Sequence, residues 1–271
     1  MRISILTSRT RLWHTGERGR AEPHNTLYLE HLSAYQLARR LARIGIVLDI
    51  GCGAGYGASH LAQDGRQVLG IDYELAVALE AARCYRRRGV SFVCMDGMRL
   101  GILSAGIDLV TCFQVLEHMS NPETLVREIA RVLRPTGMAL FSTPNALTHL
   151  GPRNPFHHHE FTPRELEALL GQHFPFVALA GQRRPPEIYA LEASCVRVRR
   201  WDLLGIRRIV PRAFISLAVY AIARWRGLRP PQQMPLDSFA ISSEMDDAYN
   251  LFALCGHAPL PAEGLTIIHG S

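Results

Sequence analysis

Three acidic residues and three alternating glycines, set at the ends of apolar runs, carry the first chemical signal in this chain. In Val47-Leu-Asp-Ile-Gly-Cys-Gly-Ala-Gly-Tyr-Gly57 a short apolar strand runs into Asp49 and then Gly51, Gly53 and Gly55, with a helical pattern directly behind. Glycine permits a tight turn with unusual dihedrals and lets main-chain N–H groups approach a ligand with no Cβ in between. Such a loop cradles a nucleoside-bearing cofactor. The glycines alone do not say which one: counted from Gly51, the last position of G-x-G-x-x-G holds Tyr56, and counted from Gly53 it holds Ala58, a permitted variant. Two further apolar strands add to the signal, since Gln67-Val-Leu-Gly-Ile-Asp72 and Ser91-Phe-Val-Cys-Met-Asp96 each end in an aspartate. An acid at the tip of the second strand can accept both ribose hydroxyls, and one placed a unit later can accept an adenine amino group.

A second set of residues could move protons. Glu117-His118 follows the apolar run 107–113, and His157-His158-His159-Glu160 precedes Thr162-Pro-Arg-Glu165, a capping box that starts a helix. Both lie at carboxyl ends of strands, where open α/β sheets bind their ligands. Three consecutive side chains in a loop cannot converge on one point. His157 is therefore read as a general base with Glu160 orienting it or contacting acceptor hydroxyls, and His118 is the alternative base. A cofactor-lining turn and a solvated loop would account for the same residues without catalysis. The chain has no H-x-x-x-H on a helix and no paired aspartates after the fifth strand, so no metal is expected.

The elements that must position these groups alternate regularly. Leu27, Leu32, Tyr35, Leu37 and Leu41 mark the apolar face of a helix over about 25–43. Strands are expected at 47–50, 67–72, 90–95, 107–113, 137–143 and 176–180, with helices at 57–63, 74–87, 122–133 and 163–171. Asn121-Pro122 opens the third of these helices and Arg134-Pro-Thr-Gly137 closes it. Alternation of this kind implies a parallel sheet with right-handed crossovers. A last strand at Asn250-Leu-Phe-Ala-Leu-Cys-Gly256 lies some 70 residues beyond the sixth, so the stretch between is an insertion.

The order D-x-G-x-G-x-G, G-I-D, M-D-G and Ile107-Asp-Leu-Val-Thr-Cys-Phe-Gln-Val-Leu-Glu-His118 resembles the class I S-adenosylmethionine-dependent methyltransferases. The resemblance implies an α/β fold with a Rossmann-like, seven-stranded, mostly parallel sheet, helices on both faces, an antiparallel last strand and a helical insertion between strands six and seven. It divides the chain into an N-terminal helical cap (1–46), the cofactor-binding core (47–182), the insertion (183–247) and a final strand with tail (248–271). It implies S-adenosyl-L-methionine held by Asp49, Gly51, Cys52, Gly53, Gly55, Asp72, Tyr73, Asp96, Gly97 and Gln114, with Tyr28, His31, His158 and His159 toward the acceptor. Gly16-Glu-Arg18, the Asn154-Pro-Phe-His run ending in Glu160-Phe161, and Asp202-Leu-Leu-Gly-Ile-Arg-Arg208 are similar to bacterial methyltransferases of surface-glycan and natural-product pathways. The function implied is O-methylation of a small-molecule or glycan hydroxyl. N- or C-methylation, a non-catalytic module that binds cofactor or lipid, and a nicotinamide oxidoreductase are the competing readings. Cys112-Phe-Gln-Val115 stands where nucleobase methyltransferases carry Asn/Asp-Pro-Pro-aromatic, which argues against a nucleic-acid target.

Composition agrees with one elaborated α/β domain: 271 residues, 48% of them hydrophobic. The net charge of +6 would invite a polyanionic partner, but all 30 basic residues are arginine, a bias that looks like genome composition. Six cysteines without a C-x-x-C pair, most in apolar patterns, are expected as buried free thiols in the cytoplasm. Within the insertion, Ala213–Ala223 is an apolar stretch bracketed by Arg212 and Arg224, too short to cross a bilayer. Its apolar residues surround the helix, which favours a lid or a homodimer contact over a membrane-surface helix.

Overall fold

The computed structural model describes residues 26–42, 45–63, 65–148, 154–189, 225, 234 and 236–261. The elements run α1 (Thr26–Leu41), β1 (Ile46–Ile50), α2 (Tyr56–Leu61), β2 (Gln67–Asp72), α3 (Leu75–Cys84), β3 (Val90–Cys94), β4 (Ile107–Phe113), α4 (Pro122–Val132), β5 (Leu133–Pro144), α5 (Pro163–Gly171), β6 (Phe176–Gln182), β7 (Ile241–Ser242) and β8 (Asn250–Gly256). One mixed sheet holds the strands in the order β3-β2-β1-β4-β5-β8-β6-β7. Strands β3 to β5 pair in parallel, and β8 slots between β5 and β6, antiparallel to both. The order reverses at β1, where β2 lies on one side and β4 on the other, and ligands bind above such a reversal.

The sheet has eight strands among the described residues, one more than the sequence implied. The additional strand, β7, comes from the segment read as a helical insertion: Ile241 and Ser242 pair with Gln182 and Gly181 at the edge of β6. A two-residue strand leaves no periodicity to read in the sequence. Residues 190–224 of that insertion, which include Ala213–Ala223 and Asp202–Arg208, lie outside the described residues, as does Gly16–Arg18. Strand β5 begins at Leu133, not at 137, so Arg134-Pro-Thr-Gly137 does not form a separate closing turn. The pairing with β4 instead shifts register between Ile107 and Leu109, and this bulge absorbs the extra residues.

Both faces of the sheet are covered, as parallel sheets require. On one face Leu125, Val126, Ile129 and Val132 of α4 and Leu166 and Leu170 of α5 pack against Leu48, Ile50, Val110 and Phe141. On the other, Ala34, Tyr35, Leu37 and Ala38 of α1 and Ala58 and Leu61 of α2 meet Val47, Leu109, Leu140 and Phe252. Helix α1 is fixed further by a buried ion pair between Glu30 and Arg184, whose guanidinium lies over the Tyr249 ring, and by Gln182 Nε2 donating to Ser33 Oγ at 2.7 Å. Among the described residues no helix is long and apolar enough to cross a membrane. The five described cysteines are free, but Cys84 and Cys94 are exposed, against the expectation of burial. Cys94 lies on edge strand β3, which among the described residues has no neighbour on its outer side in the sheet.

Candidate functional site

The β1–α2 turn is shaped by glycine. Gly51, Gly53 and Gly55 have φ of 69°, 50° and 84°, all in the left-handed region that L side chains avoid. A Cβ on Gly51 would stand 2.5 Å from Val115 Cγ2, whereas on Gly53 it would meet nothing nearer than the Gly51 carbonyl at 3.9 Å. The surface of the turn at Gly53 is therefore open to a ligand. Asp72, the terminal residue of β2, points the same way and holds the turn: one carboxylate oxygen accepts from Gly53 N at 3.2 Å and the other from Glu74 N at 3.0 Å. Asp96, in the turn after β3, accepts from Met98 N at 2.9 Å.

These groups open onto a cavity of about 630 Å³, within the range of small-molecule sites, about 300–1,000 Å³. Of the residues assigned to the cofactor from sequence, Gly51, Cys52, Gly53, Asp72, Tyr73, Asp96, Gly97 and Gln114 line it. Gly55 is buried against Ala81 and Phe92 and serves the turn from behind. Asp49 does not line the cavity. Alternation along β1 sends Val47 and Asp49 to the α1 face and Leu48 and Ile50 to the other, so Asp49 is sealed beneath α1. There the Tyr35 hydroxyl donates to both carboxylate oxygens at 3.2 Å and Thr111 Oγ1 donates to Oδ1 at 2.7 Å. Burial pushes this carboxyl up to about 7, the two hydroxyl donors pulling the other way. Burial also holds the Tyr35 phenol well above its ordinary range, so it stays a neutral donor.

The opposite wall carries imidazoles from three segments: His31 from α1, His118 from the single 3-10 turn after β4, and His158 from the 154–160 loop, with Phe156 beside them. His31 Nδ1 shares a 2.8 Å hydrogen bond with the Tyr56 hydroxyl. Tyr28 packs edge-on against Tyr56, ring centroids 5.1 Å apart, and does not reach the cavity. The loop is tied to the β4 turn because the amides of His158 and His159 both donate to the Glu117 carbonyl, at 2.7 and 3.3 Å.

His157, assigned as base from sequence, lies behind this wall and not on it. Its Nδ1 is 2.9 Å from Glu160 Oε1, both side chains are almost wholly buried, and its ring stands edge-on to His118 with centroids 4.9 Å apart. Glu160 thus pairs with His157, and neither touches the cavity. His159 turns away toward Phe161 and Glu165. Glu117 is buried, and its Oε2 accepts from Thr143 Oγ1 at 3.1 Å. The ligand atoms of Glu117, His118 and His157 lie within 4.8 Å of one another, a grouping that could hold a metal ion. The sequence reading also missed Tyr35, Tyr56, Phe113, Met98 and Met119, which line the cavity. Of these only Tyr35 carried a signal, as part of the apolar helix face, and that signal read as core.

Residues 48–141 match the family model described as Methyltransferase domain. A probable S-adenosylmethionine-dependent methyltransferase of Mycolicibacterium smegmatis is 40% identical over 164 residues, 58% of this chain and 62% of that one. One of the same description from Mycobacterium tuberculosis is 35% identical over 174 residues, 62% of this chain and 63% of its own length. The chain thus spans under two thirds of these relatives. Among solved structures, an S-adenosylmethionine-dependent methyltransferase from Thermotoga maritima is similar with a TM-score of 0.59 at 15% identity, covering 91% of this chain and all of its own. Phosphoethanolamine N-methyltransferase 2 of Haemonchus contortus, in complex with S-adenosyl-L-methionine, gives 0.54 at 19% identity over 83% of this chain and 52% of that one. At these identities the two structures show the shared fold.

Proposed function

We propose that the whole chain is an S-adenosyl-L-methionine-dependent O-methyltransferase acting on the hydroxyl of a small molecule or glycan unit, a reading supported by the match of residues 48–141 to the methyltransferase domain and by the relatives described above. The observation that carries this reading is one cavity shared by two chemistries: the acids and glycines of the cradle, and a wall of imidazoles from elements outside it. Bound in the cradle, the cofactor supplies an electrophilic methyl group on a sulfonium. Asp72 receives the ribose hydroxyls, Asp96 and the Gly97–Met98 turn face the base, and the open backbone at Gly53 lets the ligand lie close. Phe113, Met119 and Phe156 exclude water around the reacting atoms.

The acceptor enters against His31, Tyr56, His118 and His158, with its hydroxyl toward the His118–His158 wall, where the proton leaves. Placement alone supplies much of the rate of such a displacement, and a group that takes the proton adds about 10²–10⁴-fold. The ubiquinone biosynthesis O-methyltransferase of Idiomarina loihiensis, 36% identical over 103 residues and matched over 42% of its length, favours oxygen as the methylated atom. The location proposed is cytoplasmic.

Calorimetry of the full chain with S-adenosyl-L-methionine, S-adenosylhomocysteine and NAD tests the cofactor, and transfer of labelled methyl to a panel of hydroxylated, amine and carbon acceptors tests the atom. Binding of NAD alone would refute the reading. Transfer to amines with none to hydroxyls would replace it by N-methylation.

A further inference from the structure

The group behind the acceptor wall has the make-up of a metal centre. Glu117 offers a carboxylate and His118 and His157 offer imidazoles, with ligand atoms within 4.8 Å of one another. The two rings are fixed in the same sense. His118 Nδ1 lies 3.0 Å from the Phe156 carbonyl, which can only accept, so that nitrogen carries the proton and the neutral ring's lone pair is on Nε2. His157 Nδ1 lies 2.9 Å from the Glu160 carboxylate, which fixes the same tautomer. Histidines that ligate metals are oriented in just this way, by a backbone carbonyl or a carboxylate on the far nitrogen. The Asn154 amide, 3.3 Å from His157 Nε2, is at the long end for a hydrogen bond and would yield to a stronger partner. Glu117 is withdrawn from water, and a carboxylate so placed is stabilised by a positive charge beside it.

We infer that Glu117, His118 and His157 form a binding site for a first-row divalent cation at the acceptor end of the cavity. Two imidazole nitrogens and one carboxylate oxygen suit Zn²⁺ or Fe²⁺ and leave positions open for another ligand, whereas Mg²⁺ and Ca²⁺ prefer oxygen throughout. Metal–ligand bonds of about 2.0–2.2 Å place tetrahedral ligands roughly 3.3 Å apart, so the three side chains draw in by about 1.5 Å at most when the ion binds. Of the three side chains His118 lines the cavity, which puts the group at the cavity wall.

The assignment rests on the proposed O-methylation and gives the acceptor wall its chemistry. The acceptor hydroxyl binds the ion and loses its proton to His158 or water. Its oxygen lone pair forms the bond to the methyl carbon, and the electrons of the breaking C–S bond stay on sulfur.

The test is metal binding by the full-length protein, stripped with chelator and titrated with Zn²⁺ in equilibrium dialysis, with Co²⁺ absorption as a second readout and S-adenosyl-L-methionine affinity measured in parallel. One equivalent is expected to bind. Glu117→Gln, His118→Ala and His157→Ala should each weaken it by more than 100-fold, and Glu160→Gln, which unsettles only the orienting partner, by about 10–100-fold. His257→Gln, distant from the group, should leave metal affinity unchanged. His118 is partly exposed, so its variant folds even where His157→Ala does not. Absence of stoichiometric binding while S-adenosyl-L-methionine still binds would overturn the metal site and leave the methyltransferase reading standing. Binding of equal strength in wild type and His118→Ala would overturn it as well.

Discussion

Asp49 offers a test of how the fold handles the first acid of the cradle. It is sealed under α1, held by Tyr35 and Thr111, and its carboxyl is pushed up to about 7 from an ordinary 3.8. Between those two values the folded chain keeps a proton that the unfolded chain has released. The unfolded state then binds fewer protons than the native one, so stability falls as pH rises. The contribution is fully present below about 3.8 and is lost as pH rises through about 7. Three pKa units at 1.36 kcal/mol each make this about 4 kcal/mol across the window. Asp49→Asn keeps the shape, lets the hydroxyls of Tyr35 and Thr111 rotate to suit an amide, and removes the titration. Urea unfolding of wild type and variant, followed by circular dichroism from about pH 4 to about pH 8, reads the difference directly. The variant should gain on the wild type by about 4 kcal/mol over that range. A difference that stays constant within about 1 kcal/mol would refute the reasoning, because it would mean that Asp49 is ionised throughout or is reached by water.

Asp72→Ala removes the charged acceptor at the tip of β2, and at about 1.5–3 kcal/mol for a hydrogen bond to a charged group, S-adenosyl-L-methionine affinity should fall about 10- to 100-fold in calorimetry; unchanged affinity would remove Asp72 from the ribose site. Thr162→Ala breaks the capping box in which Thr162 Oγ1 accepts from Glu165 N and Glu165 Oε2 accepts from Thr162 N, and should cost about 1 kcal/mol in denaturant unfolding. Gly51→Ala places a methyl group 2.5 Å from Val115 Cγ2 at a φ of +69°, and should cost at least about 1–2 kcal/mol of stability from the backbone alone; a neutral outcome would mean that the turn has a second conformation.

The sheet was legible in the sequence wherever local pattern and tertiary environment agree. Strand β1 is an apolar run closed by glycine, α4 opens on Asn121-Pro122 with Asn121 Oδ1 accepting from Thr124 N, and α5 opens on its capping box. These signals are local, and the structure places each element within a few residues of its expected bounds. The position of β8 between β5 and β6, by contrast, is fixed by non-local pairing along all seven of its residues, and no local pattern reports it. Edge strand β7 gains its hydrogen bonds only after Gln182 and Gly181 are in place.

The site was legible as a cofactor class and not as an arrangement. Asp49 and Asp72 stand in the same kind of apolar strand and look equivalent in sequence. Asp49 lies in register with Gly70, so Asp72 stands two residues further along, at the strand tip where it lines the cavity, whereas Asp49 stays inside β1 beneath α1. Two positions along the strand separate a carboxylate on the cavity from one sealed under a helix. The histidines were named from the sequence, but their grouping was opaque for a different reason. His118 and His157 belong to segments far apart in the chain, joined by the amides of His158 and His159 on the Glu117 carbonyl. Spacing rules for metal ligands detect pairs carried on one helix or one loop, and a centre assembled from two loops escapes them. Those same amide bonds are what would hold His157 and Glu117 in one group. Loosening the loop should then weaken metal and acceptor together while leaving the cradle on β1 and β2 intact.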